Sequence, residues 1–299
     1  MSKKSKRNRS KKRLRLWVSG ARLRTLPLAI APVLLGVAVA LARQKFSPLL
    51  SLLALAVSLL LQVGVNYAND YSDGIRGTDK NRVGPARLTG GGLAKPKAVR
   101  NAAFICFGVA AISGLAIVVI TQQWWLIAVG LVCVIAAWYY TGGKHPYGYA
   151  GLGEIAVFVF FGLVATIGTD FIQELDVNPF TWVLAVNLGL FASAVLMVNN
   201  IRDINTDITS GKRTLAVKVG RKPALAIFFA MLWLPMVFHV VIVLLFPNTI
   251  LGYASLLLIL PITLIVSTAK TPRALILALK LTSYAALLYA VLVAWSLNF

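Results

Sequence analysis

The fold is decided by residues 180–207, which read FTWVLAVNLGLFASAVLMVNNIRDINTD. About the first 20 of these residues are almost wholly apolar, and a helix of that length crosses the roughly 30 Å hydrocarbon core of a bilayer. The last residues become polar and include Asp203 and Asp207. The stretch therefore predicts a membrane-spanning helix that leads into an acidic segment at one membrane face.

The composition of the whole chain supports this reading. Among its 299 residues, hydrophobic types make up 59% and charged types 13%, whereas roughly a quarter of a soluble domain is charged. A formal net charge of +21 would suggest nucleic acid in a soluble domain, but here we expect the bilayer as the partner and no nucleic acid. The two cysteines, Cys106 and Cys133, lie inside apolar runs, which argues against a disulfide framework or a cysteine metal site.

Apolar stretches between polar breaks predict an all-α membrane protein with nine transmembrane helices in one bundle. They lie near residues 25–42, 48–69, 100–121, 124–141, 152–170, 180–201, 223–246, 250–268 and 274–297. With a cytoplasmic N-terminus, 27 of the 30 Lys and Arg residues fall on the inner side, as the positive-inside rule requires. We therefore predict a transmembrane domain over residues 25–299 in the plasma membrane, with its active site toward the cytoplasm.

Residues 1–24 carry 11 basic side chains and little apolar surface. They predict an arm that is disordered or lies on the membrane surface, held against anionic lipid. A cleaved signal peptide is the alternative, because Ala40 and Ala42 form an Ala-x-Ala site after an apolar run. The long basic region and the eight further spans favour a retained first helix.

Two polar loops, 70–99 and 202–222, hold five of the nine acidic residues of the chain. The first set reads Asn66, Asn69, Asp70, Asp73 and Asp79, and the second reads Asn199, Asn200, Asp203 and Asp207. The spacing within each set places its members along one helix face. An offset of 133 residues relates both Asn66 to Asn199 and Asp70 to Asp203. Because four helices separate the sets, we expect a parallel repeat whose acids meet in one cavity.

The residue types of these loops predict a magnesium-diphosphate site. Grouped carboxylates repel one another without a cation, and oxygen ligands without His or Cys favour Mg²⁺ shared with substrate phosphates. Basic side chains in the same loops suit a polyanion once metal has neutralised the acids: Arg76, Lys80, Arg82, Arg87, Lys95, Arg202, Lys212 and Arg213. The alternative for each cluster is simple ion pairing at a solvated face, and the matched spacing of the two clusters favours the metal.

Three further residues are candidates outside these loops. Glu154 is the only acid in the 141–169 stretch, and an acid within a span indicates either function or helix capping. Tyr140 and Lys144 are candidates for binding an acceptor substrate, with interfacial anchoring as the alternative for the tyrosine. His239, on an otherwise apolar span, is expected to be a packing residue.

The two acidic motifs, Asn69-Asp70-Tyr71-Ser72-Asp73 and Asp203-Ile204-Asn205-Thr206-Asp207, resemble those of the UbiA superfamily of intramembrane aromatic prenyltransferases. Three longer stretches narrow the resemblance to the 1,4-dihydroxy-2-naphthoate polyprenyltransferases of menaquinone biosynthesis. They are NDYSDGIRGTD with the NRVGPARLTGGG that follows, YYTGGKHPYGYAGLGE, and NNIRDINTDITSGKRTLAVKVG. The similarity runs from about residue 15 to the end of the chain.

This resemblance implies a nine-helix bundle with a lateral opening to lipid and a complete set of site residues. Mg²⁺ bound by Asp70, Asp73, Asp203 and Asp207 would hold a polyprenyl diphosphate. Asn66, Asn69 and Asn199 would complete or orient that shell, Asp79 would support it, and the departing diphosphate would be stabilised by Arg82, Arg87, Lys212 and Arg213. The prenyl group would be transferred to 1,4-dihydroxy-2-naphthoate with loss of CO₂, giving demethylmenaquinone, while Glu154 holds or deprotonates a ring hydroxyl.

Three alternatives remain at this point. Another aromatic acceptor, 4-hydroxybenzoate or homogentisate, would replace the naphthoate within the same superfamily. The CDP-alcohol phosphotransferases also begin with Asp-x-x-Asp-Gly, but no acid occurs between Asp79 and Glu154 where that resemblance calls for two more. An anion transporter would place its polar site near the membrane midplane, whereas the acids here are expected at one face.

Overall fold

The computed structural model describes residues 14–78 and 87–299, which form helices joined by short connections and include no β-strand. In chain order the helices are α1 Leu14–Thr25, α2 Pro27–Ala42, α3 Pro48–Arg76, α4 Pro96–Thr121, α5 Leu126–Tyr139, α6 Gly153–Glu174, α7 Pro179–Thr209, α8 Leu215–Val219, α9 Arg221–Leu245, α10 Pro247–Thr268 and α11 Ala274–Asn298. The predicted all-α class is confirmed. The predictions for Asp79, Lys80 and Arg82, and those for residues 1–13, lie outside the described residues.

Seven of the described helices are long and apolar enough to cross a membrane: α3, α4, α6, α7, α9, α10 and α11. Helices α1 and α2 form a pair bent by 53° that would make an eighth span. Helix α5 is apolar but has only 14 residues, a length of about 21 Å. The count of nine crossings and the cytoplasmic N-terminus stay predictions.

Local sequence explains where the helices begin. Helices α2, α3, α4 and α7 each start with a proline, whose missing N–H group is not needed in the first turn. The side chains of Ser47 and Asn178 accept the first free N–H groups of α3 and α7, as N-cap residues do. Both helices continue beyond the predicted ends at residues 69 and 201 and stop at Arg76 and Thr209. The acids therefore lie on the last turns of helices rather than in loops.

The bundle is packed unevenly. Helices α2, α7, α9, α10 and α11 enclose the main hydrophobic core, which includes the fully buried Leu35, Phe191, Phe228, Leu232 and Tyr289. By contrast, α5 contributes no buried residue. Apolar side chains such as Ile112 of α4 and Leu131 of α5 are more than half exposed, as expected for a surface that faces lipid. A cavity lies on this loosely packed side.

Candidate active site

The acidic ends of α3 and α7 meet at one end of the bundle. Lys212, which follows α7, places its Nζ 3.1 Å from Oδ1 of Asp73 on α3. The main-chain N–H of Lys212 donates to the carbonyl of Asp207 at 2.9 Å, which ties this segment to the last turn of α7. The two polar segments that the sequence separates by 133 residues therefore form one site.

A cavity of about 870 Å³ begins at this polar end. Its wall there includes nine of the predicted site residues: Asn66, Asn69, Asp73, Arg87, Tyr140, Asn199, Asp203, Asp207 and Lys212. On α3 the wall extends from Asp73 back to Ala54, a distance of about 28 Å along the helix. Away from the acids the wall consists mainly of apolar residues of α3 to α6. The cavity thus joins a charged end to a long apolar channel.

Asp73 is surrounded by positive charge and a phenol. Besides Lys212, Nη2 of Arg87 lies 3.6 Å from its Oδ2, and the hydroxyl of Tyr149 donates to its Oδ1. The ring of Tyr149 lies between two cations, with Lys212 Nζ 4.6 Å and Arg76 Cζ 5.4 Å from its centroid, within the range of cation–π attraction. Burial, together with the neighbouring carboxylate of Asp73, raises the pKa of the Tyr149 hydroxyl, so it remains a hydrogen-bond donor.

Asp203 has a different partner. Nε of Arg202 donates to its Oδ1 at 2.7 Å, and Nη2 donates both to its other oxygen and to Asn199 Oδ1, the latter at 2.9 Å. The side chain of Arg202 is fully buried, while that of Asp203 is 9% exposed. This guanidinium neutralises the second acidic segment from within its own helix.

Asp70 does not belong to the cavity wall. Its two carboxylate oxygens accept the main-chain N–H groups of Leu88 at 2.8 Å and Thr89 at 2.7 Å. Asp70 is 1% exposed. Of the four predicted metal ligands, three therefore face the cavity and one faces a turn of the polypeptide.

Glu154 lies behind the cavity wall. Its Oε1 accepts a hydrogen bond from Nδ2 of Asn200 at 2.8 Å, and its buried Oε2 has no hydrogen-bond partner among the described residues. Asn200 and Tyr140 both line the cavity. Burial, and then the nearby carboxylate of Glu154, raise the pKa of Tyr140. Among the described residues, Glu154 is thus connected to the cavity wall by its hydrogen bond with Asn200.

Lys144 and Arg213 are exposed and are not part of the cavity wall. The main-chain N–H of Arg213 does contact the site, because it donates to the carbonyl of Tyr149 at 2.9 Å. His239 is a buried packing residue, as predicted, since its Nε2 bonds the carbonyl of Thr249 at 2.8 Å and its Nδ1 lies 3.0 Å from the hydroxyl of Tyr289.

Among the residues outside the predicted site, Arg22, Thr25 and Gln62 also lie in this wall. Thr25 Oγ1 accepts from Nε2 of Gln62 at 2.8 Å and from Nδ2 of Asn66 at 3.3 Å. Nη2 of Arg22 is buried without a hydrogen-bond partner among the described residues. Of these three residues, Gln62 could have been recognised from the sequence, since it is an amide within an apolar span.

The oxygen donors of this site suit a metal that arrives with its substrate. Within residues 14–78 and 87–299, no three His, Cys, Asp or Glu side chains converge closely enough to form a metal cluster by themselves. Mg²⁺ in phosphate-binding sites, however, is usually held by one or two carboxylates together with substrate phosphates. Asp73, Asp203 and Asp207 present hard oxygen donors to one cavity, so the residues fit Mg²⁺ when it arrives with a diphosphate.

The model of the UbiA prenyltransferase family matches residues 29–283. The chain belongs to this family. Among its relatives, the 1,4-dihydroxy-2-naphthoate octaprenyltransferase of Mycobacterium tuberculosis is 46% identical over 95% of this chain and 97% of the relative. The enzyme of the same name from Escherichia coli is 41% identical over 70% of each chain.

Solved structures show the same fold. A UbiA homolog from Aeropyrum pernix superimposes with a TM-score of 0.67 at 15% identity, covering 91% of this chain and 95% of that one. A UbiA homolog from Archaeoglobus fulgidus, bound to GPP and Mg²⁺, gives a TM-score of 0.63 at 15% identity, with coverage of 91% and 99%. This UbiA-family chain is therefore a multi-pass membrane prenyltransferase.

Proposed function

We propose that this protein transfers a polyprenyl group from its diphosphate to 1,4-dihydroxy-2-naphthoate, with loss of CO₂, to give demethylmenaquinol, the reduced form of demethylmenaquinone, in menaquinone biosynthesis. The observation that carries the proposal is the single cavity that joins an acidic and cationic end to a long apolar channel. A polyprenyl diphosphate has the same division into a charged head and an apolar tail. The names of the relatives from M. tuberculosis and E. coli support the choice of acceptor.

The charged end would hold the donor. Asp73, Asp203 and Asp207 would bind Mg²⁺ from two helices, with Asn66, Asn69 and Asn199 orienting them. When bound, Mg²⁺ supplies electrostatic stabilisation of the charge that develops on the leaving diphosphate. Lys212 and Arg87, which now neutralise Asp73, are placed to bind diphosphate oxygens. Arg82, outside the described residues, and Arg213 stay candidates for the same task.

The acceptor would lie between this charged end and the start of the channel. Arg22, whose buried Nη2 has no hydrogen-bond partner in the part of the chain that the structure describes, offers a cation for the ring carboxylate. Tyr140 offers a hydroxyl from the cavity wall. Lys144 is exposed and away from this wall, so we assign it no acceptor contact. Water-free apolar walls would protect a reactive allylic carbon.

The reaction balances without removal of a ring proton. The bond from the allylic carbon to the diphosphate oxygen breaks, and a new bond forms between that carbon and the ring carbon that bears the carboxylate. The bond to CO₂ then breaks and returns its electron pair to the ring. Because no ring proton leaves and Glu154 does not line the cavity, we assign Glu154 to orienting Asn200, whose amide it accepts, rather than to general-base catalysis.

The charge distribution supports an orientation for the protein. We propose that it lies in the plasma membrane with the charged end toward the cytoplasm, since 27 of 30 basic residues then lie on the inner side. Basic side chains of residues 1–24 other than Arg22 would contact anionic lipid there.

One experiment separates the narrow proposal from its alternatives. The purified protein is incubated with Mg²⁺, geranylgeranyl diphosphate and carboxyl-labelled 1,4-dihydroxy-2-naphthoate, and released diphosphate and labelled CO₂ are both measured. We expect equal amounts of the two. Diphosphate release without CO₂, seen instead with 4-hydroxybenzoate or homogentisate, would reject the naphthoate as the acceptor. Heat-inactivated protein measures the background hydrolysis.

A further inference from the structure

We infer that Asp70, although it is the first acid of the Asn-Asp-x-x-Asp motif, is a positioning residue that anchors the 87–90 turn and is not a magnesium ligand. The inference rests on the proposed function, because it concerns how the diphosphate site is built. Both oxygens of Asp70 accept main-chain N–H groups, from Leu88 and Thr89. Such charge-assisted bonds are stronger than those between neutral groups.

The 87–90 turn packs closely against α3. Leu88 is 2% exposed and packs in a cluster with Ala21 and Tyr67. A Cβ atom added at Gly74 would lie 2.4 Å from Cγ2 of Thr89, closer than atoms can approach. Asp70 and Gly74, one helical turn apart, therefore hold the turn by hydrogen bonds and by close contact.

When the 87–90 turn is held against α3, Arg87 points toward the cavity. Arg87 immediately precedes Leu88, lines the cavity and brings its Nη2 to 3.6 Å from Asp73 Oδ2. Its side chain is only 10% exposed, so the surrounding residues restrict the directions in which it can point. Asp70 thus acts on the diphosphate through Arg87.

The partners of Asp70 and Asp73 show why the two acids differ. Asp73 is bound by the ends of side chains, which can turn from the carboxylate to an incoming diphosphate. Asp70 is bound by two main-chain amides of a packed turn. Asp70 is 1% exposed and lies outside the cavity wall, so its carboxylate could reach a metal in the cavity only by turning away from these N–H groups. That movement would leave them buried without an acceptor, which is unfavourable.

The test compares Asp70→Asn with Asp73→Asn in the purified full-length protein. In Asp70→Asn one carboxylate oxygen becomes an NH₂ group, so one main-chain N–H loses its acceptor. We expect faster hydrogen exchange at Leu88 and Thr89 and about tenfold weaker binding of magnesium pyrophosphate. Mn²⁺ binding at saturating pyrophosphate, followed by electron paramagnetic resonance, stays within about twofold of wild type, whereas Asp73→Asn weakens it at least about tenfold.

Two more variants distinguish loss of the anchored turn from a general loss of folding. Gly74→Ala pushes Thr89 away without touching a carboxylate, and it should reproduce the weaker pyrophosphate binding. Asp170→Asn is the matched control, because Asp170 is a buried carboxylate that accepts the main-chain N–H of Asn178 at 3.1 Å and the hydroxyl of Thr181 at 2.7 Å. Asp170 lies on α6 near its Glu174 end, outside the cavity wall, so pyrophosphate binding should be unchanged.

A double-mutant cycle decides whether Asp70 acts through Arg87. On an Arg87→Ala background, Asp70→Asn should cause little further loss of pyrophosphate binding, whereas independent residues would give additive losses. Additive losses, or loss of Mn²⁺ binding in Asp70→Asn equal to that in Asp73→Asn, would overturn the inference. None of these measurements needs prenyl transfer, so a failure to prenylate the naphthoate would reject the proposed function and leave this test intact.

Discussion

The acidic ends of α3 and α7 are spaced alike in the sequence, yet they are neutralised in opposite ways. Asp73 on α3 is bound by Lys212 and Tyr149, which come from other parts of the chain and line the cavity with it. Asp203 on α7 is bound by Arg202, its own neighbour, whose side chain is fully buried. Similar spacing therefore brings the acids together, but their cationic partners differ: Lys212 lines the cavity, whereas Arg202 is buried.

The difference predicts that the two acidic segments contribute differently to substrate binding and to stability. A cation that comes from another segment and reaches the cavity can exchange a carboxylate for a diphosphate. A cation buried beside its acid cannot move without giving up an ion pair inside the protein, which is unfavourable. Substitutions in the first segment should therefore reduce substrate binding and turnover. Substitutions in the second segment should also reduce the stability of the fold.

Asp73→Ala should have the largest effect on the reaction. We expect prenyl transfer to fall by roughly 10³-fold, because one of the three proposed metal-binding carboxylates and the acid that binds Lys212 and Arg87 are lost. The thermal unfolding midpoint should stay close to wild type, since the cations left behind can turn toward solvent or the cavity. A variant with near-normal turnover would remove Asp73 from the metal site.

Arg202→Met should act mainly on stability. It leaves Asp203 without its buried partner, and breaking such a pair costs about 3–5 kcal/mol. We expect a lower unfolding midpoint and a marked loss of folded protein in detergent, measured by calorimetry. If Arg202→Met folds as well as wild type and loses only substrate affinity, then Arg202 is a substrate cation and the contrast between the two segments fails.

Lys212→Met should show the reverse pattern. The Lys212 side chain is 14% exposed and its ion pair is close to the cavity, so we expect little change in the unfolding midpoint. The KM for the polyprenyl diphosphate should rise about tenfold, because one diphosphate contact is lost. Steady-state kinetics with both substrates varied provides the measurement, and an unchanged donor KM would contradict the assignment.

Tyr149→Phe should have the smallest effect, a fall of about fivefold in kcat/KM from the loss of one hydrogen bond to Asp73. Because the pKa of Tyr149 is raised above its ordinary value, the hydroxyl stays protonated between about pH 6 and pH 9. The pH–rate profiles of the variant and the wild type should therefore have the same shape over that range. A limb present only in the wild type would show that Tyr149 titrates during catalysis.

The pH dependence of stability has a definite sign at this residue. A tyrosine whose pKa is higher in the folded state stabilises the fold fully below the unfolded value of about 10 and loses that contribution as pH rises beyond it. The wild type should therefore lose more stability than Tyr149→Phe above about pH 10. Unfolding midpoints of the two proteins measured across that range would test the sign.

Much of this site could be predicted from helical periodicity. The spacing of Asn66, Asp70 and Asp73 indicates one face of a helix, and Asn66 and Asp73 do line the cavity, whereas Asp70 faces the 87–90 turn. The even number of intervening helices brings Asp203 to the same end. The pairing of Arg202 with Asp203 could not be predicted, since adjacent residues on a helix point in different directions. Contacts across long separations in sequence, such as Asp70 with Leu88, depend on how a connection folds back and leave no periodic signal.

The acceptor prediction for Tyr140 and Lys144 illustrates another limit. Their spacing of four residues would place them on one face if the helix continued. Helix α5 ends at Tyr139, however, and Gly143 has a φ of 73°, in the left-handed region that glycine tolerates. The chain therefore turns away between the two residues, and only Tyr140 reaches the cavity.

The shortness of α5 has a consequence for the surrounding lipid. Trp124 and Trp125 are exposed at one end of this helix and Tyr139 at the other, and such rings settle at the headgroup level. If α5 crosses the bilayer, these rings would hold the two interfaces about 21 Å apart at this point, against roughly 30 Å for an ordinary bilayer. The hydrocarbon layer beside α5 would then be about 9 Å thinner than elsewhere. We therefore expect a local compression of the membrane next to the channel.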